Sequence, residues 1–211
     1  MFPKAKYVVD RFHCTTYIMD ALDNIRIRLQ KLYGDKSKEY KLLKNKKNVS
    51  LLRKYSNDIN WWVFTKRYKN GHMVDVLPVD ILDDILKISN DLMEGYYLKE
   101  EFLDIVHHYN QIDVEKQITK WISKCIEKNI PEFVESVGTI SRWKEYILNS
   151  FIDDRYSNGY TEGINNKIKV IKRIAFGYKS FELFRVRILY IFNGKISGSV
   201  KRKMTSKSKN S

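Results

Sequence analysis

The chain has 211 residues, 43% of them hydrophobic and 30% charged, which suits one globular domain with a real core, with room for a subdomain. Lys and Arg total 39 against 25 acids, a net charge of +14 that points to a polyanionic partner, nucleic acid before all others. The composition excludes other classes: no apolar run is long enough to span a bilayer, MFPKAKYVVDRFH is not a signal peptide, and Cys14 and Cys125 make neither a disulfide framework nor a zinc knuckle. A reducing compartment, the cytoplasm with its nucleoid, is the expected home.

Tyr7-Val8-Val9 reads as a short buried strand that delivers Asp10 at its C-terminal end. Ile18, Leu22, Ile25, Leu29 and Leu32 then recur at helical spacing, with Arg26, Arg28 and Lys31 on the other face. Residues 35–55 are lysine-rich with helically spaced leucines, and INWWVF over 59–64 is expected in the core. Pro78 punctuates, and Ile81, Leu82, Ile85, Leu86 and Leu92 mark another helix, with Asp80 in its first turn.

A helix over about 96–109 follows. Asp113 is placed to cap the next one, whose apolar face is Ile118, Trp121, Ile122, Cys125 and Ile126. Another begins at Pro131, and a separate last one before the final motif uses Trp143, Ile147 and Phe151. The tail GKISGSVKRKMTSKSKNS has six cations, no acid and almost nothing apolar, so 195–211 is expected to be disordered and to trail along phosphates or stay solvated.

The last predicted helix, over 161–175, has two faces. Ile164, Ile168, Ile171 and Ala175 line one side; Glu162, Asn166, Lys169 and Arg173 line another, nearly opposite. Ser157-Asn158-Gly159 supplies a turn and Thr161 a cap. Two readings fit the polar face. Glu162 complements the helix dipole above a solvated cationic face, or it ligates a divalent ion while the cations hold phosphates beside it. Asp10 is open in the same way, between capping a turn and ligating a metal. His107-His108 lacks partners at ligand spacing, and the four tryptophans fall in apolar patterns.

Four segments carry a family resemblance: VVDRFH, ISRWKEYIL, YSNGYTEGINNKIKVIKRIAFGY and FELFRVRIL. Together they resemble bacterial insertion-sequence transposases of the ISL type, which belong to the DDE class with a ribonuclease-H-like fold. The resemblance implies an α/β, mostly helical chain: a partial ribonuclease-H-like fold over 1–194 with a large all-helical insertion at roughly 35–140. It implies that Asp10 is the second acid of the triad and Glu162 the third, both holding Mg²⁺ or Mn²⁺. Asn158, Gly159, Asn165, Asn166, Lys167, Lys169, Lys172 and Arg173 then fall in the family's signature around Glu162, and all of them but Gly159 are expected to meet DNA.

The family's first aspartate lies on an earlier strand, and none of the nine residues before Asp10 is acidic. The expectation is a C-terminal part of a transposase catalytic domain, binding metal weakly, inactive in strand transfer and exposing a sheet edge. The partners implied are DNA and an intact transposase or a second copy, with no membrane or small-molecule substrate. A rival reading is a non-catalytic basic module that binds DNA or a transposase and inhibits it.

Overall fold

A computed structural model describes residues 6–69, 71–108, 111–152, 159–175, 177–178 and 180–192. The chain divides into two compact units, Met1–Ser157 and Asn158–Ser211. The first is built on helices α1 (Arg11–Tyr33), α2 (Lys38–Lys44), α3 (Lys46–Arg53), α4 (Pro78–Leu86), α5 (Asn90–His108), α6 (Gln111–Lys128) and α7 (Pro131–Asn149). Between α3 and α4 the strands β1 (Thr65–Lys69) and β2 (His72–Val76) form an antiparallel hairpin.

The helix ends follow from local chemistry. Ser37 caps α2 by accepting from the Tyr40 amide at 2.9 Å, and Asn45 caps α3 by accepting from the Lys47 amide at 3.0 Å. Pro78 and Pro131 open α4 and α7, with Asp80 and Glu132 in the first turns. Asp113 stands in the first turn of α6, which begins three residues earlier than the cap reading requires.

The predicted apolar positions meet in one core. Ile18, Leu22 and Ile25 of α1 pack with Leu92, Tyr96 and Phe102 of α5, Trp121 of α6, and Phe133 and Ile140 of α7. Each such side chain contributes roughly 1.5–3 kcal/mol by leaving water. The indole of Trp121 lies 4.8 Å from the Phe102 ring and donates to the Leu98 carbonyl at 2.8 Å, so its one polar atom is satisfied inside the core. Leu32 and Ile126, also assigned to apolar faces, are exposed.

Arg26 and Arg28, on the far side of α1, are structural. Arg28 reaches Glu132 of α7 at 2.7 Å and Asp91 of α5 at 2.8 Å, and these acids raise its pKa. Arg26 holds Asp23 at 2.6 Å and the Leu43 carbonyl at 3.0 Å, tying α1 to α2.

Three expectations are corrected. Tyr7–Val9 is not a strand: the Val9 amide donates to the Tyr146 carbonyl at 3.0 Å, and Asn149 Nδ2 donates to the Tyr7 carbonyl at 2.9 Å, so this extended segment lies along the end of α7. A strand needs a ladder partner, and the hairpin provides the paired strands among the described residues. The partial ribonuclease-H-like sheet around Asp10 is therefore not formed among them. The 35–140 stretch is not all helix, since it contains that hairpin. Nor is INWWVF all core: Ile59 is buried and Trp61 partly so, while Trp62, at 85% exposure, Val63 and Phe64 face solvent.

In the second unit, α8 (Gly159–Ile174) is followed by a further helix, α9, over residues 181–192. Tyr178 packs on Phe184 with ring centroids 4.9 Å apart, and the Lys167 ammonium sits 4.5 Å above the Phe192 ring, so the two helices run as an antiparallel pair. The tail 195–211 lies outside the described residues.

Candidate nucleic-acid interface

α8 keeps the two faces its sequence encodes. Ile171 is buried, and Ile164, Ile168 and Ala175 are half-buried on the same side. Glu162, Asn166, Lys169 and Arg173 are exposed on the opposite side, with Asn165 and Lys172 flanking them. The helix begins at Gly159, so Thr161 lies inside its first turn and does not cap it. Glu162 is in that first turn, where the dipole favours a carboxylate, and Lys172 and Arg173 are in the last, where it favours cations.

Lys169, Lys172 and Arg173 come together around an open hollow of about 390 Å³ that Gly177 also lines. Gly177 has φ of +108°, a backbone state that side chains oppose, so glycine lets the chain turn there beside the cations. Three exposed cations around one hollow form a place for an anion. Lys167 differs from its neighbours: it is half-buried against Phe192, at the edge of the apolar face. Asn158, and the acids Asp153 and Asp154, lie outside the described residues.

Asp10 is in the first unit. It is the N-cap of α1, its Oδ1 accepting from the Phe12 amide at 2.9 Å, and its charge helps burial push the Cys14 thiol up to about 12. Among the described residues no three His, Cys, Asp or Glu side chains are grouped so as to hold a metal ion. They do not by themselves fit the two-ion centre that the resemblance implies, in which several carboxylates clamp ions about 4 Å apart. His107 and His108 serve Tyr55: one ring stacks on it at 5.1 Å, and Nδ1 of the other lies 3.3 Å from its hydroxyl.

A family of DDE transposases of the ISL3 type matches residues 1–188. The chain belongs to that family. It is 24% identical over 196 residues to the transposase for insertion sequence element IS1001 of Bordetella parapertussis, covering 91% of this chain and 43% of that protein. It is 32% identical over 96 residues to the transposase for insertion sequence element IS1557 of Mycobacterium tuberculosis, covering 46% of this chain and 21% of that protein.

A further relative, from Lactococcus lactis subsp. lactis, carries the name ATP-dependent protease and is 33% identical over 125 residues, 59% of this chain and 38% of that protein. The chain thus spans less than half the length of each of these relatives. No solved structure matches it significantly. Among the described residues, no helix is long and apolar enough to cross a membrane.

Proposed function

We propose that the chain acts on DNA in transposition and that the exposed stripe of α8 is where it meets the phosphate backbone. The observation that carries this reading is the gathering of Lys169, Lys172 and Arg173 around one hollow, on the side of α8 away from Ile171. Asn165 and Asn166 stand one to two turns before these cations and supply hydrogen-bonding amides to the same strand. Asp10 and Glu162 are each proposed as a ligand for a divalent ion, Mg²⁺ or Mn²⁺, in the cutting and joining of phosphodiester bonds. So small a set of carboxylates means weak metal binding, and the 211-residue chain is expected to bind DNA without joining strands.

The salt dependence of binding tests the stripe. Fluorescence anisotropy with a labelled duplex should give an affinity that falls steeply with salt. Lys169→Gln with Arg173→Gln should lower the slope of log K against log salt by about 1.8, two phosphate contacts' worth. Binding that is absent, or indifferent to salt and to this double variant, would refute the reading.

A second reading, a non-catalytic module that binds DNA or an intact transposase and inhibits it, is favoured by the lack of a three-ligand metal group among the described residues. Asp10→Asn and Glu162→Gln separate the two readings in an assay of Mn²⁺-dependent cleavage. Loss of measurable cleavage supports the catalytic reading. Unchanged DNA binding with no cleavage in any form supports the module. The protease name of the Lactococcus relative is not carried over, because these 211 residues contain no G-x-x-x-x-G-K-S/T phosphate loop.

A further inference from the structure

The lysine-rich stretch after α1 borders a second hollow, of about 480 Å³, between α2 and the β-hairpin. Its lining includes Lys36, Lys38, Lys41 and Arg67, four cations against the single carboxylate of Asp84. A volume of that size is in the range of small-ligand pockets, and the charge selects an anion.

Arg67 is the informative side chain. It comes from the inner face of β1, and burial lowers its pKa. One terminal nitrogen makes a long contact of 3.4 Å to Asn45 Oδ1, while Nε is buried with no hydrogen-bond partner. A buried guanidinium donor left unpaired is costly, and a bound anion would satisfy it. On the same lining, Asn48 Oδ1 is an equally buried acceptor with no partner. Tyr68, the next residue of β1 and 74% exposed, borders the hollow as well, with its ring on the outer face of the strand.

A bare phosphate uses only the donors of this set. A nucleic acid strand crossing the open edge of β1 uses the donors and the ring together: phosphates on the cations and a neighbouring base face on Tyr68. A duplex hides its base faces in the stack, so the strand that fits is unpaired. We infer that the hollow between α2 and the hairpin is a binding site for single-stranded nucleic acid, with phosphates on Lys36, Lys38, Lys41 and Arg67 and one base stacked on Tyr68. This site lies wholly within the first unit and does not depend on the α8 reading.

The test is anisotropy of the whole chain with a short fluorescein-labelled DNA single strand across a salt series. Lys38→Gln with Lys41→Gln should weaken binding about tenfold and lower the salt slope by about 1.4. Tyr68→Ala should weaken it about tenfold, and Tyr68→Phe, which keeps the ring, by less than about twofold. Lys169→Gln with Arg173→Gln, the variant that tests α8 on duplex, should leave these Tyr68 and lysine effects intact.

An iodouracil-substituted strand should photo-crosslink to a peptide containing Tyr68, a readout that does not require altering Arg67. Wild-type affinity in the lysine and Tyr68→Ala variants, or crosslinks confined to the second unit, would overturn the inference. Displacement of the strand by inorganic phosphate at matched ionic strength would overturn it too, since the hollow would then recognise the anion alone.

Discussion

The amide of Val9 donates to the carbonyl of Tyr146 across 3.0 Å, which hangs the residues leading to Asp10 from the last turns of α7. Asp10 therefore has a structural duty before any other: with the chain held there, its carboxylate caps α1. Asparagine caps as well as aspartate, whereas alanine cannot accept the Phe12 amide. Asp10→Ala should lose about 1 kcal/mol of stability and Asp10→Asn almost none. Urea denaturation measures both, and the near-silent Asp10→Asn change then isolates what the negative charge does for function.

Gly95 marks where α5 comes closest to α1 and α7. A Cβ built there would stand 2.7 Å from Ile25 Cδ1 and 3.2 Å from Phe133 Cε2, and both side chains are fully buried. Alanine is the better helix former by about 1 kcal/mol, yet overpacking of this kind costs about 1–3 kcal/mol. Gly95→Ala should be net destabilising in chemical denaturation. Shortening the neighbour with Ile25→Val should cost less in the Gly95→Ala background than in the wild type.

Lys99 is fully buried. Its ammonium donates to the Lys54 carbonyl at 2.8 Å, pairs with Glu100, and lies 4.3 Å from the Tyr96 ring centre, so one cation fastens the end of α3 to α5. Burial lowers its pKa against the pull of Glu100. Lys99→Met should cost about 3 kcal/mol, because the Glu100 carboxylate keeps the Ser56 amide but loses its cation. Lys99→Met with Glu100→Gln should recover part of that loss, a non-additivity that a double-mutant cycle in denaturant would expose.

Alkaline pH should unfold the first unit earlier than its net charge alone suggests. Burial pushes the Cys14 thiol up to about 12, with help from Asp10, and the Cys125 thiol up to about 12, with help from Glu101. Burial and nearby carboxylates also raise the Tyr55 and Tyr96 hydroxyls. A raised pKa gives stability that is complete below the unfolded value, 9.0 for these thiols, and is lost as pH climbs through the folded one. Lys99 and Arg67, whose pKa values burial lowers, act in the opposite sense. The melting temperature should fall from about pH 9 upward, and Cys14→Ala with Cys125→Ala should flatten the first part of that fall.

Helical periodicity carried most of the fold, because buried leucines and isoleucines such as Leu22, Ile85 and Ile118 leave a repeat that sequence alone displays. The β-hairpin escaped that reading although its signal was present: Asn70-Gly71 sits between TKRYK and HMVDV, a pairing of turn and strand residues that favours a two-residue hairpin loop. Gly71 has φ of +86°, as such a turn requires.

Trp62 and Phe64 misled for a different reason. An aromatic run signals burial on average, but Trp62, Val63 and Phe64 lie in the turn before β1, where all three face solvent. Tyr7–Val9 has strand-forming side chains, but pairing is a long-range property, and α7 supplied the partner instead. The α8 faces were legible because one helix carries them whole. The Arg67 hollow was not, because its cations come from α2, the segment before it and a strand more than twenty residues later.

Tyr7 and Val9 meet Asn149 and Tyr146, so the backbone enters and leaves the helical unit at almost the same point. A module gated in this way can be lodged inside a host architecture like a parenthesis in a sentence, since its presence asks only that two adjoining positions of the host stay adjoining. Its length and internal design could then drift without disturbing whatever frame receives it.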